Sequence, residues 1–384
     1  MRRRLEETDI KVGEGLPCDV FDAQGRLLVR LGQIIASERS VQRLLDAGVF
    51  GDPGWNEPGE DRPKGPGHLS VFAHCLEVRA GLTGTCKQLV EGGDTRHVVG
   101  DVLALAKSVD FLCQADADAL LGTILWQRVP SYAVRHQVNV AIVTALLMHA
   151  RKWEEASRLP VLCAALTMNV AMLDLQDALY SQKEDLTPVQ RATIRAHPVE
   201  AVEILKRAGV SDETWLAVIE QHHEAIDGSG YPRALQGEAV NVGAQMLSAA
   251  DRYCAMVSER AYRAAAPANV ALRQIFLSQG KSLDAVIAAL LVREIGMYPP
   301  GTAVLLANGE RAVAIKRTLN ASQPTVRSVI SSSGKRLDAL PKRQTSHDSH
   351  RITEVVPLSK LPSDLKPEAF WLPLETDAAD DPPR

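Results

Sequence analysis

The chain has 384 residues, is 46% hydrophobic but only 4% aromatic, and sets 43 Lys and Arg against 47 Asp and Glu for a formal net charge of -4. That length admits two or three domains, and the charge balance excludes the basic footprint of a general nucleic-acid binder. The Arg-rich start has no apolar signal-peptide core, and the longest apolar stretch, Val138–Met148, is broken by Asn139 and too short for a bilayer, so a cytoplasmic protein without a membrane partner is expected.

Residues 1–52 read as a small α/β module. Short strands over 18–21 and 26–30 flank a turn at 22–25, and Ser37 is placed to cap a helix from Glu38 to about Ala47. Residues 53–67 are rich in Pro, Gly and charge, the composition of a linker. A helical connector follows over 68–119, with breaks expected at Gly92–Gly93 and near Asp116.

From 120 to 300 one helical pattern succeeds another. Val134, Val138, Ala141, Ile142 and Ala145 share a face, residues 159–173 predict an apolar helix, and Thr187 with Gln190 is a possible capping box. Successive helices without a strand pattern predict a mainly α protein built on a helical bundle. Asn308–Gly309 then signals a hairpin within a short β element over 301–332. Residues 333–384 are Pro-rich, charged and aperiodic, the signature of a disordered tail; within it Phe370, Trp371 and Leu372 are an apolar cluster that can dock on the chain itself or on a partner. Cys18, Cys75, Cys86, Cys113, Cys163 and Cys254 form no C-x-x-C pair and are expected as reduced thiols.

Residues 221–232 read Gln-His-His-Glu-Ala-Ile-Asp-Gly-Ser-Gly-Tyr-Pro. Adjacent imidazoles beside a rigid Gly-rich turn are a metal-site arrangement. With His136, His197 and Asp251 on other predicted helices, His222 and His223 complete a candidate ligand set. This segment resembles the signature of HD-GYP domains, a branch of the HD metal-dependent phosphohydrolases. The resemblance extends to His136, to His197–Pro198, to residues 249–253 around Asp251 and to Arg260–Arg263, and covers roughly 120–330.

That resemblance implies a helical bundle holding two or three iron or manganese ions and hydrolysing cyclic di-GMP. It further implies phosphate contacts from Arg260 and Arg263, and contacts to other signalling proteins through Asp227, Gly228, Ser229, Gly230, Tyr231 and Pro232. This chain departs from the pattern at the dyad that names the family. Met168 stands for the histidine, Asn169 for the aspartate that bridges two metals, and Met172 for a following lysine. Tyr132 occupies the place of an extra glutamate in some members.

A neutral carboxamide offers one weak donor oxygen and no charge, and a thioether suits iron or manganese poorly. His136 and Asp251 are therefore expected without their immediate partners, and the dyad region as packed core. The expected cofactor is one divalent metal, iron or manganese, rather than a full binuclear centre. The expected function is a degenerate HD-GYP protein of cyclic di-GMP signalling that binds or regulates. A phosphodiesterase with a reduced site and a scaffold without nucleotide binding are the alternatives, and oligomeric state is left open.

Overall fold

A computed structural model of the chain describes residues 3–6, 9–10, 16, 20–22, 27–29, 35, 38–46, 49–51, 70–92, 95–127, 129–261 and 265–371. The linker expected over 53–67, together with Cys18, Ser37 and Arg263, lies outside the described residues. Strands β1 (Arg3–Arg4), β2 (Val20–Phe21) and β3 (Leu27–Val29), helix α1 (Glu38–Asp46) and strand β4 (Phe50–Gly51) make up the N-terminal module. Its antiparallel sheet has the order β1-β4-β2-β3. Leu5, Ile10, Leu16, Val20, Val29, Val41 and Val49 form its core.

The remaining helices are α2 (Val71–Glu91), α3 (Val98–Trp126), α4 (Tyr132–Ala150), α5 (Glu155–Thr167), α6 (Leu173–Ser181), α7 (Pro188–Arg207), α8 (Glu213–Gln221), α9 (Val242–Val257), α10 (Ala268–Leu277) and α11 (Ala285–Ile295). Buried apolar residues of all of them except α6, from Val71 to Ile295, join one core. Local sequence sets many of the helix starts. Ser131, Asp212, Asn241 and Asp284 each accept a hydrogen bond from the first turn, and Thr187 with Gln190 forms the complete capping box.

Three expectations need correction here. The boundary placed at 119–120 falls inside α3. Asp116 does interrupt that helix, at φ -158° and ψ 90°, but its carboxylate accepts from Ala119 N and restarts the same element. Helices α2 and α3 therefore share the bundle core rather than forming a separate connector. The apolar helix expected over 159–173 stops at Thr167. A 3-10 turn at Val170–Met172 separates it from α6. Residues 155–181 are apolar and long enough by composition to cross a membrane, yet 61% of their most apolar window lies inside the fold.

The third correction concerns the C-terminal region. Strands β5 (Ala303–Leu306), β6 (Arg311–Lys316) and β7 (Thr325–Ile330) are joined by β8 (Lys342–Gln344) and β9 (Ile352–Val355) in an antiparallel sheet of order β8-β7-β6-β5-β9. The tail expected to be disordered from 333 is thus ordered to Trp371. The buried Arg327 guanidinium donates to the Leu340 and Phe370 carbonyls, and Trp371 Nε1 donates to the Ile315 carbonyl. The apolar cluster docks on the chain itself: Phe370 packs on Trp126 and Trp371 on Phe72, with ring centroids 5.4 and 5.1 Å apart. The five described cysteines are buried and unpaired.

Candidate metal centre

Proline has no amide hydrogen, so Pro198 inside α7 leaves the Ile194 carbonyl without its helical donor. The preceding side chain fills that gap: His197 Nδ1 lies 2.6 Å from Ile194 O. His222 follows the last turn of α8, where carbonyls also lack helical donors, and its Nδ1 lies 2.6 Å from Ile219 O. Each imidazole thus gives its Nδ1 proton to the backbone. The tautomer this fixes leaves both Nε2 atoms as bare lone pairs. Those two atoms face each other at 3.2 Å.

Two lone pairs at that distance repel, and a cation between or beside them removes the repulsion. His223 adds the third imidazole; one ring nitrogen from each of the three lies within 4.8 Å of the others. Burial holds all three rings neutral. It lowers His197 to about 3, aided by the neighbouring His222, and lowers His222 and His223 as well. Neutral imidazoles need not shed protons before binding a metal.

His136 on α4 and Asp251 on α9 are paired with each other, Nε2 to Oδ1 at 2.6 Å. This corrects the expectation that both had lost their partners. Burial alone would raise the Asp251 carboxyl. The hydrogen bond to His136, together with the electrostatic pull of that ring, outweighs it and holds the carboxyl well below its usual range. His136 Nδ1 is buried with no partner among the described residues.

The loop after His223 is built by its own chemistry. Asp227 Oδ1 accepts from Ser229 N and Oγ at 2.9 and 2.6 Å, Gly228 takes φ +79°, and Tyr231 and Pro232 share a cis peptide bond. A Cβ at Gly230 would stand 2.3 Å from Ala225 N, so only glycine lets the loop close on the preceding turn. The Tyr231 ring stacks on His223 at 4.8 Å. The buried Glu224 carboxylate accepts from Arg233 N and Leu235 N, at 2.6 and 3.0 Å. The sequence does not announce this role of Glu224, because a carboxylate opposite loop amides nine and eleven residues away has no local signal.

A cavity of about 390 Å³ opens beside the cluster, with His223, Asp251, Arg252, Arg260, Gln274 and Ser278 in its lining. Residues 121–287 match the family model for the HD domain. By that match, residues 121–287 carry an HD domain.

Curated relatives match parts of the chain. The chain is 27% identical over 168 residues to a 3'3'-cGAMP-specific phosphodiesterase of Vibrio cholerae, covering 44% of this chain and 36% of the relative. It is 24% identical to cyclic di-GMP phosphodiesterase PdeB of Borreliella burgdorferi, covering 44% of each. It is 27% identical over 226 residues to a cyclic di-GMP phosphodiesterase of Pseudomonas aeruginosa, covering 58% of this chain and 53% of the relative. The chain thus spans between about a third and a half of the length of these relatives. A solved HDG"Y"P protein from Bdellovibrio bacteriovorus aligns with TM-score 0.48 at 14% identity, over 76% of this chain and 98% of that one.

At the position expected for the dyad, Met168 is fully buried and Asn169 nearly so. Asn169 is gripped by glutamines: its backbone N donates to Gln137 Oε1 and its Nδ2 to Gln176 Oε1, both at 3.2 Å. Its Oδ1 is buried with no partner among the described residues. Met172 is half-buried. Tyr132 is buried, stacks on Tyr180 at 4.7 Å and accepts from Arg260 Nη2 at 3.0 Å. The donor set fits one metal at the three imidazoles. At the second position it offers a thioether and a lone amide oxygen, which do not make a bridging ligand.

Proposed function

We propose that this HD domain binds a cyclic dinucleotide at a reduced, single-metal centre and serves cyclic di-GMP signalling as a binding or regulatory module rather than as an efficient hydrolase. The observation carrying this reading is the contrast within one site. His197, His222 and His223 converge, while the dyad position holds a buried Met168 and a neutral Asn169. The names of the relatives, phosphodiesterases of cyclic di-GMP and 3'3'-cGAMP, support the ligand class.

His197, His222 and His223 would hold the divalent metal, iron(II) or manganese(II). When bound, it supplies charge to neutralise a phosphate oxygen. Asp251, held by His136, lines the cavity, and Arg260 and Arg263 contact phosphate oxygens through charge-assisted hydrogen bonds. Asp227, Gly228, Ser229, Gly230, Tyr231 and Pro232 form the rigid surface through which signalling proteins dock.

The test is one anaerobic preparation loaded with iron(II) or manganese(II), analysed for metal, for cyclic di-GMP binding by calorimetry and for cleavage. Binding with about one metal and negligible turnover supports the reading. Steady turnover abolished by His222→Ala establishes instead the second reading, a phosphodiesterase with a mononuclear site, which the closeness of three imidazoles to Asp251 favours. Absence of nucleotide binding leaves a scaffold.

A further inference from the structure

The cavity beside the imidazole cluster is walled by two arginines in different situations. Arg260 donates to the Tyr132 hydroxyl and lays its guanidinium over the Tyr132 ring, 5.4 Å from the centroid. Its geometry is set by aromatic neighbours inside the fold. Arg252 sits one residue beyond Asp251 on α9 and lines the same cavity as His223. Its Nη1 donates to Ser282 Oγ at 2.7 Å, on the segment between α10 and α11, so one end of the fork is held.

No carboxylate among the described residues forms an ion pair with Arg252. Asp251, its neighbour in sequence, is paired with His136 instead, and Asp227 is occupied by Ser229. A half-buried guanidinium has lost part of its hydration and regains the loss only from an anion or a full set of acceptors. The cavity it faces is large enough to admit a phosphate diester group. Gln274 and Ser278 add polar groups to its lining.

We propose that Arg252 is the anchoring anion contact of this cavity: with its fork steadied by Ser282, it binds a phosphate of the cyclic dinucleotide next to the metal held by His223. The inference rests on the cyclic-dinucleotide reading above and names the residue that positions the ligand. A metal held at His223 would add charge to the same cavity, and the Arg252 guanidinium supplies the charge-assisted hydrogen bonds to a phosphate oxygen that a neutral side chain cannot.

The experiment is calorimetry of the full-length, metal-loaded protein with cyclic di-GMP and with 3'3'-cGAMP, comparing wild type, Arg252→Gln, Arg252→Lys and the remote surface variant Arg293→Gln. Arg252→Gln is expected to weaken binding at least tenfold, with metal content and thermal midpoint unchanged. Arg252→Lys should recover part of the loss, and Arg293→Gln should match wild type. If wild type binds and Arg252→Gln binds equally well, the Arg252 assignment falls while the proposed function stands. If wild type binds neither nucleotide, both fall.

Discussion

Pro198 and His197 act as a unit: the proline strips the Ile194 carbonyl of its helical donor, and the histidine supplies one from Nδ1 at 2.6 Å. That bond aims Nε2 at the cluster and fixes it as the unprotonated nitrogen. Pro198→Ala returns an amide hydrogen that competes for the same carbonyl. Metal affinity is expected to fall by on the order of tenfold or more, while the metal-free protein becomes no less stable, because an interior proline costs a helix about 3 kcal/mol. Metal titration and thermal unfolding of the variant, run in parallel, check the two halves. Unchanged metal affinity would show that His197 needs no backbone anchor.

Restoring the dyad should restore the second metal position. Asn169→Asp alone buries a carboxylate beside the Gln176 carbonyl oxygen, and a buried group left without its partner costs roughly 1–3 kcal/mol. The double variant Met168→His and Asn169→Asp gives that charge a neighbouring imidazole and a cation to share. The expected outcome is a protein destabilised without metal, a rise in metal content from about one to about two per chain, and a thermal midpoint that climbs with added manganese(II) as binding to the folded state requires. Elemental analysis and thermal scans at several metal concentrations decide it. A variant that still holds a single metal would place the obstruction elsewhere, at the Tyr132 ring that stacks 5.6 Å from His136.

The helices, the three imidazoles and the loop were legible because their signals are local. Caps lie three residues from their acceptors, and His222, His223 and the Gly-rich turn are contiguous. The His136–Asp251 pair was not, since 115 residues separate partners on two helices whose mutual packing no periodicity announces. The C-terminal strands failed for another reason. β8 and β9 are edge strands of three and four residues, β8 wholly polar and β9 burying only Ile352, and their order comes from pairing with β7 and β5 rather than from a hydrophobic alternation of their own. The 3-10 break after Thr167 lay hidden under an unbroken apolar run, which cannot by itself distinguish one buried helix from two.

Acid should weaken the bundle through a site remote from the metal. Asp110 on α3 accepts from Arg158 on α5 through both oxygens at 2.7 Å and from His149 on α4 at 2.8 Å. Burial would raise its carboxyl, but these bonds prevail and bring it from an ordinary 3.8 down to about 2. A depressed carboxyl contributes stability that is complete above the unfolded value and is lost as pH falls towards the folded one, here between about 4 and 2. The contribution is on the order of 2 kcal/mol. Asp110→Asn should cost about 3–5 kcal/mol at neutral pH, because it leaves Arg158 buried without its anion. The gap between wild type and variant should narrow as pH falls through that window. Urea unfolding at a series of pH values measures it, and a gap constant down to pH 2 contradicts the assignment.

Gly122 on α3 is where the C-terminal strap meets the bundle. A Cβ there would lie 2.5 Å from the Trp371 indole, a distance no real contact shows. Glycine inside a helix otherwise costs about 1 kcal/mol relative to alanine, so its presence is explained by the indole lying against it. Gly122→Ala should therefore destabilise the wild-type chain by pushing Trp371 from its seat between Phe72 and the Ile315 carbonyl. In a Trp371→Ala background the obstruction is gone and only the helix preference remains. The same substitution should then stabilise, by about 1 kcal/mol. The reversal of sign is what a mutant cycle by thermal unfolding reads, and contacts at other positions cannot imitate it. Limited proteolysis offers the structural counterpart: Gly122→Ala should expose cleavage sites after residue 355 that wild type protects, while Gly122→Ala combined with Trp371→Ala should be cut no faster than Trp371→Ala alone.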